Sequence, residues 1–337
     1  GEIKLSLPSG EYKAVEIKGK DGYVLDEKEE DRTTYFKVAY NADLEINYIE
    51  DLIDLSNNVT NGNTYEGKII SLTKNLDFND VNSYRNANDI TTYGDYNGDG
   101  IVESIKNELT NTESSGFKPI GGNTEKAFKG VFDGNCYELK NIYINSSYGS
   151  LFTNVENGEI LNLKLTNASI TNQSCGAGFA YYLTNSKMYN CGIDGVVLSS
   201  TNSPTAGLAY TTNNSEIVSC YNNADITGVC TSGISCYTYN SLIEKCYNTG
   251  DLTSVGPAGG VGYTLENCII KDFYNTGDAT STSGGVSGIG SYMTKCTVVN
   301  SYNTGNITGK STCGGIASNL TDSTIENCYN TGNITDT

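Results

Sequence analysis

One phrase of eleven residues, EKCYNTGDLTS from Glu244, recurs as KDFYNTGDATS from Lys271, VNSYNTGNITG from Val299 and ENCYNTGNITD from Glu326. A looser copy, VSCYNNADITG, starts at Val218. Self-similarity at a fixed period limits the fold more than any local propensity does. Take the position before the recurring tyrosine as slot zero. It holds Cys220, Cys246, Phe273, Ser301 and Cys328, with degenerate copies at Leu163 and Cys191, and the successive spacings are 28, 29, 26, 27, 28 and 27 residues.

Apolar side chains recur at constant offsets from that slot. Three residues before it stand Ile160, Met188, Ile217, Ile243, Ile270, Val298 and Ile325. Twelve before it stand Leu151, Phe179, Leu208, Ile234, Val261, Ile289 and Ile316, and six after it Val197, Ile226, Leu252, Ala279, Ile307 and Ile334. The apolar segments are short and β-branched, broken by Gly, Asn, Thr and Ser, which excludes helices. One such coil cannot bury its own inner face, whereas stacked coils bring equal slots to about 4.8 Å and build continuous apolar ladders. The pattern therefore predicts an all-β, parallel β-helix solenoid with coils of about 27 residues, right-handed by the usual crossover rule.

The remaining repeat positions receive structural readings first. Gly250, Gly277, Gly305 and Gly332 are expected to turn the chain through positive φ. The asparagines two after slot zero, Asn222, Asn248, Asn275, Asn303 and Asn330, share its inward direction and should form a buried amide ladder. Six of the eleven cysteines fall into repeat slots: Cys191, Cys220, Cys246 and Cys328 in slot zero, Cys268 and Cys296 five before it. Parallel Cβ vectors at strand spacing make poor disulfides, and no CxxC or histidine accompanies them, so they read as free, buried, small fillers.

Composition narrows the function. Net charge is −18 over 337 residues, which disfavours nucleic acid and anionic membranes as partners. The complete lack of histidine removes His-based triads and most zinc sites. No apolar run is long enough to insert into a membrane. The abrupt opening at Gly1 and the close within a repeat read as a piece of a longer chain, expected to be monomeric.

Residues 1–48 lack the repeat and read as a small β leader. Residues 49–145 hold a capping helix (Ile49, Leu52, Ile53 and Val59 on one face), irregular first coils and an insertion; residues 146–337 are the regular repeats. Within the insertion, DYNGDGIVE sets Asp95, Asn97, Asp99, the Ile101 carbonyl and Glu103 at calcium-loop spacing around a glycine. Calcium is the expected ion, although the twelfth position is Lys106 where a bidentate acid belongs.

The run GFKPIGG…FKGVFDGNCYELKNIYIN, then GSLFTNVENGEILNLKLTNASI, resembles the GLUG-motif repeat proteins of bacterial surface adhesins and of the repeats attached to some immunoglobulin A peptidases. IEDLIDLSNNV…YEGKIISLTKNLDFND…YGDYNGDG is similar to the segment that precedes such repeats in surface proteins of gut Firmicutes. The resemblance spans about residues 46–337 and implies a secreted or surface-anchored bacterial β-helix in an adhesive or scaffold role, without catalytic residues.

Three functions follow for testing. The first is an adhesin-like or stalk module, not an enzyme, that binds a host surface protein or a glycan. Its candidate face is the column Tyr221, Tyr247, Tyr274, Tyr302 and Tyr329, which either binds ligand or stacks on itself to shield the sheet. The second is a polysaccharide lyase or hydrolase, for which the column Asp225, Asp251 and Asp278 offers stacked acids but no basic partner. The third makes those acids a calcium ladder that stiffens the stalk.

Overall fold

A computed structural model describes residues 10–14, 34–38, 42–85, 93–94, 103–104, 109, 116–121, 125–195, 197–199 and 203–337. Gly10–Ala14 pairs antiparallel with Thr34–Val38. From Leu44 onward the chain winds as a parallel solenoid, and the strand pairs between its coils are all parallel.

The coil that begins at Leu242 shows the path. Leu242–Glu244 lies in a first sheet, Tyr247–Asn248 in a second, Leu252–Ser254 and Ala258–Gly259 in a third, and Gly262–Glu266 in a fourth. The first sheet runs unbroken from Leu44–Ile46 to Thr324–Glu326, whereas the fourth starts only at Phe152–Glu156. Ahead of it, Ile120 and Phe128 meet Phe152 and Val155 through single parallel bridges, and the rings of Phe128, Phe132 and Phe152 pack together.

Register follows the predicted slots. Ile160, Met188, Ile217, Ile243, Ile270, Val298 and Ile325 pair in sequence along the first sheet. All but the last are fully buried; Ile325, in the last coil of the sequence, is 38% exposed. Each interior member contributes roughly 1.5–3 kcal/mol by leaving water.

The corners differ from expectation in their chemistry. Gly250, Gly277, Gly305 and Gly332 do not take positive φ. They are required by close approach: a Cβ on Gly277 would sit 2.0 Å from the Gly250 carbonyl oxygen, and one on Gly305 would sit 1.9 Å from that of Gly277. Left-handed residues stand elsewhere, immediately ahead of two inward slots. One row is Asn185, Asn214, Asn240, Asn267, Lys295 and Asp322; the other is Asn190, Ser219, Lys245, Asp272, Asn300 and Asn327. Asparagine tolerates this region because its short polar side chain bonds locally.

The next residue at these corners, Phe273 excepted, is a small Ser or Cys that can tie two coils together. Ser215 Oγ accepts the Ser186 N–H at 3.0 Å and donates to the Asn213 carbonyl at 2.8 Å. Cys220 Sγ accepts the Cys191 N–H at 3.3 Å and donates to the Val218 carbonyl at 3.2 Å. All eleven cysteines are free, and the slot cysteines act as weak corner caps in place of serine. The reading as mere fillers is corrected by these bonds.

The helix Ile49–Thr60 buries Ile49, Leu52, Ile53, Leu55 and Val59 in the common core. Asp51 Oδ2, in the first turn, accepts the Asn47 and Tyr48 N–H groups at 2.9 Å each, which fixes the chain entering the helix. Ser56 Oγ donates to the Pro119 carbonyl at 3.1 Å. The helix thus covers apolar surface at the start of the stack, as a solenoid end requires.

Candidate functional site

The second sheet carries the predicted tyrosine column on a backing of amides. Asn222 Nδ2 donates to Asn248 Oδ1 at 2.7 Å, Asn248 to Asn275 at 2.7 Å, Asn275 to Asn303 at 2.7 Å and Asn303 to Asn330 at 2.6 Å. Each Nδ2 also reaches the carbonyl two residues on, as Asn248 does to Gly250 at 2.8 Å. The glycine row ahead of the fourth sheet makes room: a Cβ on Gly288 would lie 2.4 Å from the Asn303 side chain. Burial without this pairing would cost several kcal/mol per amide.

One residue before each of these asparagines, the tyrosines point outward and lie flat on one another. Tyr221, Tyr247, Tyr274, Tyr302 and Tyr329 stack at 4.8–5.3 Å between centroids, with planes within 9°. Their faces are occupied by their neighbours, so the column presents ring edges and hydroxyls. Tyr221 closes its start by lying over Gly192, where a Cβ would meet the ring at 2.1 Å.

The same tyrosine joins an ionic cluster. Asp194 Oδ2 accepts from the Tyr221 hydroxyl at 3.1 Å and from Lys164 Nζ at 2.6 Å, while Oδ1 accepts from the Asn223 amide. Burial opposes the charge on Asp194, but Lys164 and Asn223 together hold its carboxyl below the usual range. Burial, then the Asp194 charge, pushes the Tyr221 phenol up. A cleft of about 160 Å³ beside it is lined by Cys136, Lys164, Asn190 and Tyr221.

A second tyrosine column lies on the fourth sheet and has no counterpart in the sequence reading. Tyr181, Tyr210, Tyr237, Tyr263 and Tyr292 stand on that sheet, preceded by Tyr148 from the third-sheet strand Tyr143–Gly149, and successive rings lie 4.7–5.5 Å apart. Most of these contacts are edge to face, the Tyr181–Tyr210 pair being stacked. Tyr210 and Tyr237 of this column pack over a small apolar cluster of Ala177, Ala206 and Cys236. A repeated bulge stands ahead of it: the Leu208 carbonyl accepts both the Phe179 and Ala180 N–H groups, and Ile234 does the same for Leu208 and Ala209. From Tyr181 to Tyr292 these tyrosines stand ten, ten, nine, ten and nine residues before slot zero, and Tyr148 stands fifteen before it, so a search at one fixed offset passes over them.

The acid column is a turn device. Asp225 Oδ1 accepts the Asp251 N–H at 2.8 Å, Asp251 accepts that of Asp278 at 2.8 Å, and Asp278 accepts that of Asn306 at 2.7 Å. Among the described residues no cluster of three acids, cysteines or histidines has metal-binding geometry. Of the calcium-loop candidates, Asp95, Asn97, Asp99 and Ile101 lie outside the described residues, and for Glu103 the backbone alone is described, in a short pair with Gly94.

Fold and rows together define a parallel β-solenoid of stacked, about 27-residue coils. No family model matches this chain, and no curated protein matches it. A solved structure named IgA1 Protease superposes over 90% of this chain with a TM-score of 0.60 at 15% identity. The chain spans 23% of the length of that protein. A structure described as a suspected immunoglobulin A1 protease from Bacteroides ovatus covers 85% of this chain and 74% of its own, at 18% identity and a TM-score of 0.48.

At such identity the likeness is one of fold. It nevertheless corrects one expectation. The exclusion of this chain from enzymes is withdrawn, because a protein of which 23% shares the fold of 90% of this chain bears the name of a protease.

Proposed function

We propose that the chain is a rigid, adhesin-like stalk module of a secreted or surface-displayed protein, carrying laterally presented binding surfaces at a fixed distance from its anchor. The observation that carries this reading is the unbroken register of the first sheet from Leu44 to Glu326, reinforced from Asn222 onward by the asparagine ladder of the second sheet. A chain whose coils are tied at their corners bends little, and each coil adds about 4.8 Å of reach. The fold shared with a protein named IgA1 Protease supports a place as one module of a longer protein. Kinship with the GLUG-motif repeats and an outward role belong to the same proposal, as does calcium at the Asp95 loop by its oxygen spacing. Melting with calcium and with chelator checks the ion: a melting point unmoved by either removes it.

Solution X-ray scattering tests the stalk. Excising residues 220–272, two whole repeat periods, should give a folded rod shortened by about 10 Å. A profile of flexible, many-shaped particles for the parent chain, or an excision that unfolds it, would sink the reading.

A further inference from the structure

Among the regular coils from Lys187 onward, two surface rows break together. The first is the outward row of the first sheet, four residues before slot zero: Lys187, Glu216, Leu242, Ile269, Thr297 and Thr324, paired in sequence. Its neighbours Met188, Ile217, Ile243 and Ile270 fill the core, so this row faces water and folding asks polar residues of it. Leu242 and Ile269 violate that, and Ile269 is 50% exposed. Thr297 and Thr324 satisfy it in the next two coils.

The second row is the left-handed corner. It reads Asn185 and Asn214 in the coils of Lys187 and Glu216, Asn240 and Asn267 beside the apolar pair, then Lys295 and Asp322. Left-handed geometry alone does not demand asparagine here, since lysine and aspartate hold the same corner in the next coils. The amide row and the apolar pair therefore end at the same coil boundary, and between them runs a groove of about 430 Å³ lined by Asn214, Glu216, Asn240, Leu242, Asn267 and Ile269. That volume lies within the range of small-ligand sites.

The chemistry of the lining selects the occupant. Among the described residues that line the groove, the charged one, Glu216, faces Lys187 at 3.5 Å, so the pair neutralises itself and favours an uncharged ligand. Asn267 Nδ2 donates to Asn240 Oδ1 at 3.2 Å, which orients successive amides along the axis. An amide offers both a donor and an acceptor, which suits neighbouring hydroxyl groups. Leu242 and Ile269 supply an apolar floor for the C–H face of a sugar ring. A peptide strand finds no partner here, because Leu242–Glu244 is already paired on both sides.

We propose that this groove binds a neutral oligosaccharide segment, lying along the solenoid axis with its ring face on Leu242 and Ile269 and its hydroxyls on the asparagine row. The site deepens the binding role assigned to the stalk and rests on that reading.

Affinity electrophoresis in gels cast with soluble β-glucan, mannan, xylan or, as an anionic control, pectin tests it. The wild-type chain should be retarded by at least one neutral polysaccharide and not by pectin alone. Leu242→Thr with Ile269→Thr, residues that the following coils carry at this position, should weaken retardation roughly tenfold or more. Asn240→Lys, as at Lys295, should weaken it as well, while Tyr247→Ser with Tyr274→Ser leaves it unchanged. Circular dichroism confirms that each variant is folded. No retardation of the wild type, retardation by pectin alone, or full binding by the threonine variant overturns the site. A rod-like scattering profile beside any of those results leaves the stalk standing and removes the groove alone.

Discussion

The two tyrosine columns use one residue type for two different tasks. On the second sheet the rings stack flat, within 9° of parallel, above a ladder of buried amides. On the fourth sheet they meet mostly edge to face, and Tyr210 and Tyr237 roof a small apolar cluster. The difference comes from what lies beneath. The asparagine ladder fixes one identical position per coil, so every ring repeats its neighbour. The bulge ahead of the fourth sheet offers two adjacent positions: Tyr181 and Tyr210 share one and stack, and from Tyr210 onward neighbouring coils choose differently. In the first column order is imposed by hydrogen bonds, and in the second by packing.

That contrast can be broken by mutation. Asn275→Ala removes the amide that accepts from Asn248 and donates to Asn303, and should cost about 3 kcal/mol of unfolding free energy by denaturant titration. If it costs nothing, the flat stack does not depend on its backing. Among the rings themselves the order reverses. Tyr237→Ala opens the roof of the second cluster and should cost about 2 kcal/mol. Tyr274→Ala should cost about 1 kcal/mol, since it removes ring stacking on a sheet that stays paired. Equal losses for Tyr237 and Tyr274 would erase the distinction.

Alkaline titration sharpens it with a smaller effect. Burial raises the Tyr181 and Tyr210 phenols and pushes Tyr237 up to about 12. The folded state then retains protons that the unfolded chain releases near pH 10, the ordinary phenol value. This contribution to stability is complete below about pH 10 and is lost as pH climbs toward the folded values. Replacing Tyr181, Tyr210 and Tyr237 by Phe should flatten the loss of stability above that pH more than Tyr247→Phe with Tyr274→Phe, where burial also raises both phenols. Thermal melts across the alkaline range measure it, and identical slopes would argue against the roof.

What the sequence disclosed, and what it hid, follows the same division. The isoleucine column, the amide ladder and the flat tyrosines repeat at one offset, because each is fixed by a backbone position that every coil must pass. The helical cap was legible from Ile49, Leu52, Ile53 and Val59 on one face. The corners were not, since NTG looks like a turn while the left-handed residues, such as Asn240 and Lys245, precede the inward Ser and Cys. Gly277 and its fellows are glycines for want of space and not for their φ. The second tyrosine column escaped because its members occupy two neighbouring slots. The groove escaped for another reason: a ladder search collects what repeats, and Leu242 and Ile269 matter by failing to.

Register is the claim on which every column depends, and side-chain amide exchange measured by NMR tests it most directly. In-register coils predict that the Nδ2 protons of Asn222, Asn248, Asn275 and Asn303 exchange as slowly as core backbone amides, since each is buried and held by two acceptors. A slip by one residue would turn all four to solvent, and exchange as fast as that of the exposed Asn214 and Asn240 would contradict the stack.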